Sequence, residues 1–274
     1  MRQSDSVIVE KAPPALQPLV LCAIWRDFTG SSSAEQVHAN AYASLNVVLH
    51  GVVEAPRRSV CPRYFVTGPF ARPLATAVRG PLRSVCLVFQ PWLLKDIFAL
   101  SPASLADSVQ AITPWPTIQA RQWMTALDRS APGDPSFWKA IASAIPVDAR
   151  RCFDALALPM LRDHGTRAAT RASGLGERHY RRVFLQHLGL SPKTWMRLQR
   201  FDAFVQALTD NTSLSALAAH SGYADQAHMT REARSIANHP PGQLRTGIAQ
   251  RRWALWALMP AEVRFVQDQE CGPF

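Results

Sequence analysis

The sequence predicts an α+β N-terminal domain, a small sheet or barrel with helices, followed by an all-α domain that carries two helix-turn-helix units. Three observations lead there. Short apolar runs set between Pro and Gly in the first ninety residues give way to helical spacing after Pro91. No strand pattern follows Pro146 until the tail, and within this helical half Ser173-Gly174 recurs as Ser221-Gly222 in a repeated pattern. With 274 residues, 47% of them hydrophobic, the chain has enough apolar side chain for two cores.

The predicted strands are Leu19 to Trp25, Leu45 to Val53, Tyr64 to Thr67 and Ser84 to Phe89, each short, β-rich and bounded by turn formers. Helical spacing then joins Leu94, Ile97, Phe98, Leu105 and Val109, and later Trp123, Leu127, Trp138, Ile141 and Ile145. Turn formers crowd Ser130 to Pro135, and Pro146 interrupts the next helical run. The expected division is therefore 1–146, 147–250 and a tail at 251–274 that packs on the N-terminal domain.

Several classes are set aside. Met1 to Ser6 is polar, and the apolar stretch from Ala15 to Trp25 is broken by Gln17 and Pro18, so neither a signal peptide nor a membrane span is expected; the reading is a cytoplasmic protein with no membrane partner. Cys22, Cys61, Cys86, Cys152 and Cys271 are scattered without CxxC spacing, and the histidines show no HxH or HxxxH. Buried thiols, no metal and no cofactor are expected. Paired carboxylates, GxSxG, Cys-His pairs and phosphate-cradling Gly loops are all missing in their required contexts, so no catalytic residue is predicted and the protein is read as no enzyme.

Charge is more informative. The net charge is +10, and residues 150 to 252 hold 16 Lys and Arg against 7 Asp and Glu. A domain-sized positive block is the footprint of a polyanion binder, and nucleic acid is favoured over anionic membrane because no single basic amphipathic helix dominates. Six arginines between Arg57 and Arg83, with no acidic residue among them, are read first as solvated strand edges and turns. A pocket for an anionic effector is the alternative.

Each copy of the repeat reads as a helix, a Gly-containing turn and a longer helix. In the first, Tyr180, Val183, Phe184 and Leu188 make a core face at i, i+3, i+4 and i+8, with Arg178, Arg181 and Arg182 opposite. In the second, Leu214, Leu217, Ala218, Met229 and Ile236 face inward and Asp225 is placed as an N-cap. Gln226, His228, Thr230, Arg231 and Arg234 are left to point outward or toward the helix start. Between the copies Ser191-Pro192 opens a helix expected over 192–209, about 27 Å long, to hold two reading heads about one DNA turn, roughly 34 Å, apart.

The strings GLGERHYRRVFLQHLGLSPKTWMRLQR and SLSALAAHSGYADQAHMTREAR, followed by HPPGQLR, resemble the AraC/XylS family of transcription regulators over about 150 to 245. The resemblance implies a seven-helix DNA-binding domain with two recognition helices in successive major grooves of double-stranded DNA. By position, Arg178, Arg181 and Arg182 meet DNA in the first helix, and Gln226, Ala227, His228 and Arg231 in the second. Arg can pair with guanine O6 and N7, Gln with adenine N6 and N7, and Ala227 offers only a methyl group. Further implied are transcription activation, RNA polymerase and a small-molecule effector as partners, and a monomer or homodimer. The sequence departs from the family at Gly176 for a Ser cap, Thr170 for a small apolar residue, Ala233 for a core Phe and Asn238 for a Gly.

The N-terminal half resembles the sensor-like domains that accompany such DNA-binding domains, through VTGP at 66–69, VFQPWLLKDIFALSPASLAD at 88–107 and FVQD at 265–268. Two alternatives remain at this point. An enzyme or metabolite-binding module with an appended DNA-binding domain would bring a catalytic constellation into the N-terminal pocket. A nonspecific architectural binder would show no preference among sequences.

Overall fold

A computed structural model describes residues 5–30, 32–55, 59–114, 116–208, 212–249 and 263–267. The first part contains β1 (Asp5–Lys11), β2 (Val20–Phe28), β3 (Ser32–Val37), β4 (Ala43–Ala55), β5 (Ser59–Val60), β6 (Tyr64–Thr67) and β7 (Leu74–Phe89). After these come α1 (Leu93–Phe98), α2 (Pro102–Leu105), β8 (Val109–Ala111), α3 (Ile118–Arg129) and α4 (Pro135–Ser143). The strands form one antiparallel sheet ordered β8-β6-β4-β7-β2-β1-β9, with β3 on the first half of β7 and β5 on the end of β4. Of the tail at 251–274, only β9 (Val263–Gln267) lies within the described residues; it pairs with β1.

Period-2 alternation gives the sheet two faces. Ala23, Trp25, Leu45, Val47, Val66, Val85, Leu87 and Phe89 point toward the helices, where Phe89 meets Trp123 at 5.1 Å and Trp25 meets Phe137 at 5.4 Å between ring centres. Cys22, Ile24, Phe65, Cys86 and Val88 point the other way. β4 and β7 run for 13 and 16 residues, long for strands, and their register shifts between Val48 and Val52. Gly51 sits there at φ +91°, where a Cβ would lie 2.2 Å from the Pro81 carbonyl oxygen. These irregularities curl the second face into a cup.

Two local expectations fail. β1 and β3 were not predicted, because their polar residues mask the alternation. Val109, read in helical spacing with Leu105, instead opens β8. The chain turns at Asp107 (φ +55°), whose backbone N–H donates to the Pro69 carbonyl and whose carboxylate accepts from the Ala71 N–H.

The second part is helical: α5 (Arg151–Ala155), α6 (Leu158–Ser173), α7 (Glu177–Leu188), α8 (Pro192–Gln206), α9 (Leu214–His220), α10 (Gln226–Ala237) and α11 (Pro241–Ala249). α6 is kinked at Gly165 (φ +79°, ψ −178°). α8 stops three residues short of the expected 209, where the Ala207 N–H bonds back to the Ala203 and Val205 carbonyls, and its 15 residues span about 22 Å. One buried cluster runs from the sheet through α3 and α7 to α10. The two parts meet where Ala39 N–H donates to the Ile236 carbonyl (2.9 Å) and the Tyr42 hydroxyl donates to Asp202 Oδ2 (3.0 Å).

Candidate nucleic-acid interface

The first unit is the segment of α6 after Gly165, the turn through Gly174 (φ +69°), and α7. Tyr180, Phe184 and Leu188 are fully buried and Val183 is half-buried, which fixes which side of α7 faces the core. The Tyr180 hydroxyl donates to the Leu156 carbonyl (2.8 Å), and Phe184 meets the edge of Trp195 on α8 at 6.1 Å. Arg178, Arg181 and Arg182 are all exposed on the opposite side. Arg181 reaches back one turn to Glu177 at 2.5 Å, so its charge is locally shared, while the other two form no ion pair among the described residues.

The second unit is α9, a turn through Gly222 (φ +73°) and α10. Asp225 caps α10 as expected, accepting from the His228 N–H at 2.6 Å. Asn238 ends it in the left-handed conformation (φ +59°), which Asn tolerates in place of the family's Gly. Ala233, in place of a Phe, is fully buried with Met229 and Ile236. Gln226, Ala227, Arg231 and Arg234 are exposed.

His228 and Thr230 are turned differently. The His228 ring stands on edge against Tyr223 at 5.4 Å and lies 4.0 Å from Glu232, and the Thr230 hydroxyl donates to the Gln226 carbonyl in its own helix (2.8 Å). Both are half-buried. The structure thus groups seven of the nine sequence-predicted residues as two exposed sets, on α7 and α10, and engages these two within the fold.

Residues outside the predicted set support the geometry. Arg197 on α8 donates to Glu232 (3.1 Å) and to Ser235 (2.7 Å), both on α10. Arg200 lies over the Tyr223 ring at 5.4 Å. Burial raises the Tyr223 phenol well above its usual range, so the ring stays neutral. Together these tie α10 to α8, which is tied in turn to α7. Leu185 was missed: it is 47% exposed, one turn beyond Arg182 on the arginine side of α7. The signal was available, since 178, 181, 182 and 185 share a helix face.

The arrangement presents paired basic helices on a common support, and residues 169–247 match a protein family described as a helix-turn-helix domain. This segment is an AraC-type helix-turn-helix domain. No curated protein matches the chain in sequence. Among solved structures, ToxT from Vibrio cholerae is similar at 7% identity, covering 79% of this chain and 97% of its own, with a TM-score of 0.44. ToxT from the same organism with an unsaturated fatty acid bound is similar at 9% identity over 89% and 97%, TM-score 0.43. The AraC-like transcriptional activator CuxR is similar at 13% identity over 66% and 75%, TM-score 0.30.

In the arginine-rich stretch at 57–83, three of the six arginines form surface pairs. Arg63 bonds Asp128 (2.9 Å), Arg79 bonds Glu54 (2.7 Å), Arg83 lies 3.7 Å from Asp27, and Arg72 is exposed; Arg57 and Arg58 lie outside the described residues. No helix among the described residues is long and apolar enough to cross a membrane.

Proposed function

We propose that the protein is a sequence-specific transcription regulator, with residues 147–250 gripping duplex DNA and residues 1–146 sensing a small molecule. The observation that carries the first half is the pair of outward basic sets, Arg178, Arg181 and Arg182 on α7 and Gln226, Arg231 and Arg234 on α10, held to one support helix inside the AraC-type domain. Arg182 and Arg231 read guanine, Gln226 reads adenine, and Leu185 and Ala227 offer apolar contact to a thymine methyl. His228 steadies α10 rather than reading a base.

The second half rests on the segment from His38 to Tyr42. It lines the cup of the sheet and also touches the support helix α8 and the second recognition helix α10, through Tyr42 to Asp202 on α8, His38 to Phe201 on α8 (6.3 Å between rings) and Ala39 to Ile236 on α10. A molecule seated in the cup pushes on His38 and Tyr42, which also contact α8, and through them on Ala39, which bonds to α10, and this gives a two-site coupling with a named path. RNA polymerase as the downstream partner belongs to this reading.

Binding of the full chain to a pool of random duplexes tests it. Recovery of a bipartite motif is expected, with affinity falling steeply between about 50 and 200 mM salt because neutralising phosphates releases condensed counterions. Enrichment of no motif would point to nonspecific binding, and flat salt dependence would defeat the electrostatic argument.

A further inference from the structure

The concave face of the sheet encloses a cavity of about 120 Å³. Its apolar wall comes from Ile24, Phe65, Phe70, Val78, Val88 and Val109, which gives a ligand most of its contact through packing rather than hydrogen bonds. Of the described residues lining it, only Arg26 carries a full charge, and no carboxylate lies among them. The Arg26 Nε is buried and has no protein partner. His38 also lines the cavity with both ring nitrogens buried and unpartnered. Burial lowers its pKa to about 4, so the ring is neutral at physiological pH and adds no second charge. Acidic side chains adjacent in sequence or bonded to lining residues are engaged elsewhere: Glu54 pairs with Arg79, Asp27 alternates to the other face of β2 beside Arg83, and Asp202 accepts from Tyr42.

Buried donors without partners are costly, and a guanidinium fits a carboxylate with two parallel hydrogen bonds. A single cation balances a single negative charge, which disfavours a phosphate dianion. Size sets a further limit, because an engineered apolar cavity of about 150 Å³ holds benzene. From these observations we infer that the cup binds a small monocarboxylate with a ring-sized or short branched apolar body, its head on Arg26 and beside His38. This rests on reading residues 1–146 as a sensor, and it adds the chemistry of what is sensed.

The test uses the full chain without DNA, so that its outcome is independent of whether the duplex reading stands. Calorimetric titration compares cyclohexanecarboxylate, the neutral cyclohexanecarboxamide and oleate. Saturable binding of the carboxylate, about tenfold or more tighter than the amide and weakened about tenfold or more in Arg26→Gln, is the expected result. Equal binding of acid and amide, or acid binding untouched by Arg26→Gln, overturns the role of Arg26. Binding of oleate with none of cyclohexanecarboxylate overturns the size argument. Should Arg26→Gln fail to fold, the wild type still reports location: Cys61 and Cys86 line the cavity, and the bound acid should slow their alkylation by iodoacetamide, mapped by peptide mass spectrometry. Alkylation that proceeds unchanged at saturating acid overturns the site.

Discussion

Asp202 is 4% exposed on α8, where Tyr42 from the sheet domain donates to it, and burial pushes its carboxyl from 3.8 up to about 7 against the opposing pull of that hydrogen bond. A carboxyl with a raised folded-state pKa holds a proton in the native protein that the unfolded chain has already released. Its contribution is therefore most favourable at low pH and is lost as pH rises from about 4 to 7. At 1.36 kcal/mol per unit the full shift amounts to about 4 kcal/mol, of which about 2.5 kcal/mol falls between pH 5 and 8. Asp202→Asn keeps the shape and an acceptor for Tyr42 but carries no charge at any pH. His38 acts in the opposite sense: with its pKa lowered by burial to about 4, it adds stability as pH rises from 4 toward 6.5. Being common to both proteins, that term cancels in their difference. Urea unfolding of wild type and variant at pH 5, 6, 7 and 8 measures it directly. The variant should gain about 2.5 kcal/mol on the wild type across that range. A difference that stays constant with pH would refute the burial of an ionisable Asp202 between the two parts.

Two further expectations concern backbone positions. Gly189 and Gly174 both have φ +69°, but a Cβ at Gly189 would lie 2.5 Å from the Pro102 carbonyl oxygen while Gly174 faces open space. Gly174→Ala should cost about 1 to 2 kcal/mol for the left-handed conformation alone, and Gly189→Ala more, because α2 must move; equal losses in thermal melts would mean that α7 does not seat against α2. At the helix starts, Asp225→Ala should cost about 1 kcal/mol by removing the cap of α10, whereas Gly176→Ser, in open space before the uncapped α7, should lose nothing and add a few tenths of a kcal/mol. A destabilised Gly176→Ser, by chemical denaturation, would contradict the description of that turn.

The helical half was legible because its signals are local. Ser173-Gly174 and Ser221-Gly222 mark turns by conformational need, Asp225 caps by chemistry, and the i, i+3, i+4 spacing of Tyr180, Val183, Phe184 and Leu188 orients α7 without any tertiary information. The same logic erred at the end of α8, where the apolar stripe continues to Leu208 but the helix does not. It also left His228 and Thr230 outward, since spacing alone does not reveal an aromatic neighbour such as Tyr223 or a bond back to the Gln226 carbonyl. In the sheet, β2, β4, β6 and the last six residues of β7 were visible as apolar runs, whereas β1, β3 and the first part of β7 (Leu74 to Arg83) are recognised only by their partners. The cup was illegible for the same reason. Arg26 lies outside the arginine-rich stretch that drew attention, and it reaches the cavity only because β4 and β7 bend around Gly51.

The central claim is base reading by two equivalent helices, and it is tested most directly by selecting preferred duplexes with Arg182→Ala and with Arg231→Ala. Both side chains are exposed, on α7 and α10. Each variant should lose roughly 1 to 3 kcal/mol of binding and relax preference at one local position, the two positions lying about 10 base pairs apart. Unchanged preference in both variants, with only the salt slope reduced by about one unit, would contradict base reading by these residues, and overlapping changes would contradict the two-head geometry.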